Sequence, residues 1–537
     1  MLRFIIVLLF FPTCHNVIAQ ATAINVQLNP INIEGFGGIQ SFAWGRAGEK
    51  ILILGGRLDG LHRRQPFAAF NEAGHNTSLI VLDMETQEVW TTSLSTFPVS
   101  ISEQLSSTNM EFEQVGNTLY LVGGYGFSAT AGDHITYPNL IAVDVSGLIT
   151  AIIDNSPSES FIRQITDEAF RVTGGHLNLI DGIFYLSGGQ NFEGRYNPQG
   201  PDFGPGFFQE YTNSIRRFSL QDDGENLSAT VLEPWQDNEN LHRRDYNVVS
   251  QIMPDGTNAL TIFSGVFRTD ADLPYLNSVN VTPEGYIVNN EFAQYYNHYH
   301  CATLPFHSAL SNEMCTIFFG GIAQYYDDGG VLTQDDNVPF VKTIGMVCRT
   351  SSGEMAEYKL QTEMPGLLGA GSEFIPLHTI PQYENGVINF DLLEGDTVLV
   401  GYVIGGISST AANVFFENGD NLSDASSTIY KVYLVRGHSA GTATQNQSSV
   451  NSMQMILYPN PTGGEFNIGY NLPNSGYVEF EIRDASGKLI HQKRLQNQKR
   501  GEHTYYPQFE SHLPDGSYLV LMRTADNTSV QRILLSR

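Results

Sequence analysis

Apolar runs that stop on a pair of glycines recur along most of the chain. Residues 51–56 read Ile-Leu-Ile-Leu-Gly-Gly, and the pattern returns at 119–124, 184–189, 316–321 and 401–406. Residues 261–266 are a weaker copy, its doublet degraded to Gly265-Val266. Each run is apolar enough for a strand buried on both faces. Glycine at a strand end permits a bulge, a positive φ or a close approach of two backbones. A polar loop follows each pair, then another strand-like run such as 78–83, 140–144 or 429–434. The pattern predicts an all-β body of six units, each of four antiparallel strands. The first strand of the sixth unit falls at 373–377 or at 387–392, and no fourth strand follows Val435. The alternating segment 23–28, ahead of the first unit, predicts that missing outer strand, because a sheet left short exposes an unpaired edge.

The ends read differently. Residues 1–20 combine a basic start at Arg3, an unbroken apolar run over 4–11 and a small-residue cleavage site, Val-Ile-Ala-Gln, at 17–20. This is a secretory signal peptide, too short to span a membrane as a stable helix. Cys14 follows Phe11-Pro12-Thr13, a poor lipoprotein box. No later segment predicts a transmembrane span. Residues 437–454 are rich in Ser, Thr, Asn and Gln and read as a flexible linker. The division is therefore a signal peptide at 1–20, a body at 21–436, a linker at 437–454 and a terminal domain at 455–537.

Charge supports that division. The net charge is −28, yet residues 455–537 carry 9 basic and 8 acidic side chains, which leaves 19 basic and 48 acidic in the rest. A body so acidic repels nucleic-acid phosphates and excludes that partner; solubility outside the cell is the simpler use of the charge.

The double glycine after an apolar strand resembles Kelch repeats, which build the blades of β-propellers. The resemblance implies a six-bladed Kelch-like β-propeller followed by a small β-sandwich. Units of about 69 residues exceed the roughly 50 of a standard Kelch repeat, the excess lying in the loops after the glycines. The terminal domain resembles the type A C-terminal sorting domain of the type IX (Por) secretion system of Bacteroidota. The match consists of Tyr-Pro-Asn-Pro at 458–461, the turn at 484–489, the Leu-Pro-Asp-Gly-Ser-Tyr-Leu hairpin at 513–519 and a basic last strand. That resemblance implies that residues 455–537 engage the secretion machinery and that the protein is secreted or held at the outer-membrane surface.

Four-stranded antiparallel blades send the loops after each double glycine to one face. These are 57–76, 125–139, 190–212, 267–277, 323–341 and 407–427, where ligand-binding residues concentrate. His62, Arg63, Arg64, Arg195 and Arg268 lie in them, among aromatics and amides suited to a glycan or protein ligand. The segment Tyr-Tyr-Asn-His-Tyr-His-Cys at 295–301 adds His298, Tyr299 and His300. On a strand the two histidines would share a face, where a metal is conceivable. The Tyr-His pair resembles one motif of galactose-oxidase-like copper radical enzymes, although the crosslinked Cys–Tyr pair and the other ligands of that chemistry are not identifiable. Asp327-Asp328, Asp335-Asp336 and 417–421 lack the spacing of an EF-hand loop. The chain also lacks a nucleophile elbow, a zinc helix and a P-loop. No catalytic residue, metal or cofactor is assigned. Two readings stay open: a binding propeller, and a Kelch-type extracellular enzyme, either a copper radical oxidase or a sugar epimerase-like protein.

Beyond the leader the cysteines are Cys301, Cys315 and Cys348. An oxidising exterior allows a disulfide. Cys315 opens one strand of the fifth unit and Cys348 ends another, so an antiparallel register predicts a bridge between them, with Cys301 left as a buried thiol.

Overall fold

The computed structural model describes residues 24–436 except 66, 330, 418 and 420. Within 454–535 it describes all but 459–461, 463, 465, 473–474, 485–487, 508–512, 515 and 525–527. The expected signal peptide, the expected linker to residue 453, the Pro-Asn-Pro of the tail motif, most of the 484–489 turn and the last two residues lie outside the described set. The chain divides into two compact units, Met1–His438 and Ser439–Arg537.

The first unit is all-β apart from short helices. Its sheets repeat one plan of four antiparallel strands in sequence order. Sheet 1 comprises Ala43–Ala47, Lys50–Leu54, Ser78–Asp83 and Val89–Ser93. Sheet 2 comprises Thr108–Val115, Thr118–Ser128, Asn139–Asp144 and Ile162–Thr166. Sheet 3 follows at His176–Ile180, Ile183–Ser187, Ser214–Asp222 and Leu227–Gln236, and sheet 4 at Asn247–Ile252, Asn258–Phe263, Ser278–Thr282 and Gly285–Asn289. Sheet 5 takes Thr303–Ser308, Glu313–Ile322, Phe340–Arg349 and Met355–Lys359. Sheet 6 takes Leu367–Pro376, Thr397–Ser409 and Ile429–Arg436, and its outer strand is Ile24–Ile31 from the other end of the chain. That strand runs antiparallel to Ile429–Arg436, from Ile24 opposite Arg436 to Ile31 opposite Ile429, with Val26 buried.

Consecutive sheets pack face on face. Leu52, Leu54, Leu119 and Leu121 join sheets 1 and 2; Phe184 and Phe218 pack sheet 3 on Val122 and Leu140 of sheet 2. The series ends with sheet 6 against sheet 1, where Ile404 and Tyr402 meet Phe42, Ile51 and Ile53.

The strand-end glycines explain how the sheets come so close. Both residues of each doublet have positive φ, for instance 66° and 91° at Gly123 and Gly124. The second amide donates to a carbonyl in the segment leading into the next sheet. Gly56 donates to Ser107, Gly124 to Val172, Gly189 to Arg243 and Gly406 to Ile39, at 2.8–2.9 Å. The first glycine passes that same carbonyl, and a Cβ on Gly123 would lie 2.0 Å from the Val172 oxygen. In sheet 4 the doublet is Ser264-Gly265, with φ of 53° and 104°, rather than Gly265-Val266. Ser264 fits because its Oγ donates to the Tyr275 carbonyl at 2.7 Å, and the Gly265 bond to His298 is longer, 3.3 Å.

Other expectations change as well. The first strand of sheet 6 is Leu367–Pro376, whereas the alternative segment supplies only Ile388–Asn389, a short parallel addition to sheet 5. A helix, Val145–Ile153, interrupts sheet 2. Asp144 caps it by accepting from the Gly147 amide, and Leu148, Ile149 and Ile152 fill the core between sheets 1 and 2. Cys315 and Cys348 stand directly opposite one another, Cα atoms 4.1 Å apart, and are bridged. Cys301 is buried beside Phe263, Phe292 and Phe318.

The second unit has two sheets. One orders Gln454–Tyr458, Asn467–Leu472 and Gly501–Tyr505; the other orders Leu489–Gln498, Gly476–Asp484, Gly516–Arg523 and Thr528–Leu535. Phe466, Ile468, Phe480, Val520 and Ile533 form its core.

Two outcomes are expected. Gly123→Ala destabilises the protein by about 3 kcal/mol or more, the range of a severe steric conflict. Gly132→Ala, at φ 73° with nothing within 4 Å, isolates the backbone effect, which is about 1 kcal/mol; equal losses in urea unfolding contradict the close-approach account. Deleting residues 24–31 lowers the melting temperature of the first unit far more than deleting residues 437–537, because it strips Ile24 and Val26 from a shared core. Equal melting temperatures contradict the role given to that strand.

Candidate functional site

The loops after the double glycines converge. They line a cavity of about 590 Å³ to which every sheet contributes, through Arg57, Tyr125, Gln190, Phe267, Phe340 and Phe415 among others. Its walls are aromatic rings interleaved with amides. His62 sits inside one ring cluster, stacked on Phe70 at 4.4 Å and edge-on to Tyr196 and Phe415 at 5.3 and 5.5 Å. Burial pushes its pKa down to about 4, so the ring is neutral at pH 7. Arg64 lies over the rings of Phe415 and Phe416 at 5.3 and 5.5 Å, a cation–π arrangement.

Arg57 and the pair Arg244–Asp245 are cavity residues that the sequence did not single out. Arg57 is 2 % exposed and grips Asp59 with two bonds of 2.7 and 2.6 Å. Gly74 makes room for that pair, since a Cβ there would lie 2.2 Å from the Arg57 guanidinium. Arg244 pairs with Asp245 and donates to the Tyr211 hydroxyl at 3.0 Å.

The floor is titratable. Asp245 and His300 line both the cavity and a narrow space of about 120 Å³ beneath it, which Glu111, His176 and Glu373 also border. Sheets 2 to 6 or the segments leading into them therefore each supply at least one such group, and sheet 2 adds Glu113 to Glu111. His300 Nε2 lies 3.0 Å from Glu373, and its ring meets His176 edge-on at 5.3 Å. Burial opposes the charged ring of His300, but Glu373 and then Asp245 outweigh it and hold its pKa above the ordinary value. Burial and the neighbouring His300 push His176 down to about 3, and burial pushes Glu111 up to about 8.

The expected site residues separate into groups. His62, Arg64, Tyr299 and His300 line the cavity together. Arg63 meets His62 through its backbone carbonyl, 3.0 Å from Nδ1. Arg195 stands outside, against Glu72 at 3.2 Å, and Arg268 is held by Asp270 at 2.8 and 2.6 Å. His298 corrects the expectation of a shared strand face. Residues 295–300 are irregular, and His298 is fully buried with its ring nitrogens occupied by the Gln294 carbonyl and the Gln324 amide. It fastens the loop and does not reach the cavity.

The crosslinked Cys–Tyr pair of the oxidase reading has no counterpart at Cys301. Among the described residues no three of His, Cys, Asp and Glu converge as metal ligands. Cys301 has the Asn247 amide as its polar neighbour, 3.9 Å from Sγ, and otherwise lies among phenylalanines and valines.

Residues 456–536 match the family described as the secretion system C-terminal sorting domain. No curated protein matches the chain. Among solved structures, the chain is similar to that of YjhT, with 13 % identity, 73 % of this chain and 99 % of that one covered and a TM-score of 0.40. It is also similar to a fungal alcohol oxidase of the AA5 family in complex with copper, with 9 % identity, 95 % and 99 % covered and a TM-score of 0.38. Neither likeness bears on this chain's chemistry. Among the described residues no helix is long and apolar enough to cross a membrane. The sorting domain marks the protein for export through the type IX system, to the cell surface or beyond it.

Glu373→Gln tests the floor. Because the folded-state pKa of His300 is raised, the stability that the pair supplies is fully present below about pH 6.5 and is lost as pH rises through the higher folded value. The variant is therefore less stable than the parent at about pH 5 and closer to it at about pH 9. By NMR, His300 titrates above about 6.5 in the parent and below it in the variant, where burial acts with less opposition. An unchanged midpoint contradicts the pairing.

Proposed function

We propose that the first unit is a six-bladed Kelch-like β-propeller of a Bacteroidota surface or secreted protein, and that it binds a glycan through the cavity where its long loops meet. The supporting observation is that single cavity, to which all six sheets contribute rings and amides. Its volume lies within the usual range for a small-molecule site. Amides such as Gln190, Gln209 and Asn413 both donate and accept, as sugar hydroxyls do, and rings offer faces for the apolar side of a sugar. A folded protein partner would meet a rim rather than fill so recessed a space. The enzyme reading keeps one supporting observation, His300 held by Glu373 at the floor, and turnover of a bound glycan would move the conclusion to it.

The binding test is a glycan array with the purified chain, followed by Phe415→Ala and His62→Ala. Binding that falls about tenfold in both variants, roughly 1.4 kcal/mol, supports the assignment. A chain that binds proteins and no glycan contradicts it. Delivery is tested separately. Removing residues 532–537 leaves the protein in the periplasm, whereas undiminished surface display contradicts the role of the last strand.

A further inference from the structure

A second cavity, of about 1230 Å³, opens beside the central one. Arg64 and Phe416 line both, so the two form one continuous surface with the Arg64 guanidinium over the Phe416 ring as its saddle. The outer groove carries exposed rings. Phe67 is 77 % exposed, Phe203 75 % and Phe416 52 %. Single exposed apolar residues are ordinary, but a cluster along one groove marks a surface made to be covered.

The loop bearing Phe203 is held in shape. It springs from a two-stranded ribbon, Gln190–Glu193 with Phe208–Tyr211. Inside it the Asn197 side chain, 3 % exposed, donates to the carbonyls of Phe203 and Pro205 at 3.2 and 2.9 Å. A side-chain amide buried to fix a loop presents its exposed ring in a set place, which lowers the ordering cost of binding.

The central cavity shares Asp245 and His300 with a space of only about 120 Å³, which the His300–Glu373 contact crosses and which is too small to pass a chain of sugar units. A chain molecule therefore does not thread through; it enters by an end.

We infer that the two cavities are consecutive subsites for one oligosaccharide, bound end-on. The terminal unit occupies the central cavity, and the following units cross Arg64 and lie along Phe416, Phe67 and Phe203. This rests on the proposed glycan reading and adds to it the mode of recognition: chain ends are bound and internal stretches are not.

The test uses the full chain and oligosaccharide ladders of glucan, xylan and chitin, from single units to hexamers, titrated by calorimetry. Affinity for the ladder that binds rises about tenfold between the shortest ligand bound and one two or three units longer, then levels off. The double variant Phe67→Ala/Phe203→Ala loses that gain and keeps the parent's affinity for the shortest ligand, which also shows that it folds. A ladder with both ends capped by a bulky group does not bind. Affinity independent of length, equal binding of capped ligands or an unaltered double variant overturns the end-on inference and leaves the glycan reading standing. Failure of every ladder, with peptides binding in their place, overturns both.

Discussion

The body depends on a close approach of backbones at the end of each second strand. A Cβ on the first glycine of the doublet would lie 2.4 Å from a carbonyl at Gly55, 2.2 Å at Gly320 and 2.4 Å at Gly405. No side chain fits at such distances, and φ is positive there as well. The contact links each sheet to the segment that begins the next. At Gly56, Gly124, Gly189 and Gly406 the second glycine turns proximity into a hydrogen bond, so one local device sets the spacing between neighbours and starts the long loop toward the shared cavity. Sheet 4 shows the limit of the rule: a serine enters where its hydroxyl finds a carbonyl and the junction is wider.

Closure extends the same constraint to the whole unit. Ile39, whose carbonyl accepts from Gly406, lies only a few residues beyond the strand Ile24–Ile31 that completes sheet 6. The first residues of the body thus serve both as the outer strand of the last sheet and as the lead-in to the first. The cavity depends on this because its walls come from loops of all six sheets and its floor from groups on five of them. A seam that opened would separate Phe415 from His62, which touch across the junction of sheets 6 and 1.

Much of this was legible in the chain. The doublets reveal themselves because their physical cause is local, and the alternation at 23–28 reveals the closing strand because period-two burial is local too. The helix Val145–Ile153 was missed because its apolar residues continue the run of the preceding strand, and apolar runs alone do not separate strand from helix. Site residues were harder. Glu373 and Arg244 acquire roles through His300 and Tyr211, dozens of residues away and on or beside a neighbouring sheet, which no spacing encodes. His298 misled because a Tyr-His-rich segment imitates a site, whereas its buried imidazole is consumed by backbone groups.

The strand Ile24–Ile31 completes sheet 6 and so holds the cavity together. Gln27 and Tyr433 face one another across that seam. The direct measurement is Gln27→Cys/Tyr433→Cys, oxidised in air and mapped without reduction, with the melting temperature read before and after reduction. A spontaneous bridge forms between the two positions, and the melting temperature falls on reduction. Free thiols at both positions in the folded protein, or a bridge whose reduction changes nothing, would contradict this role of the strand.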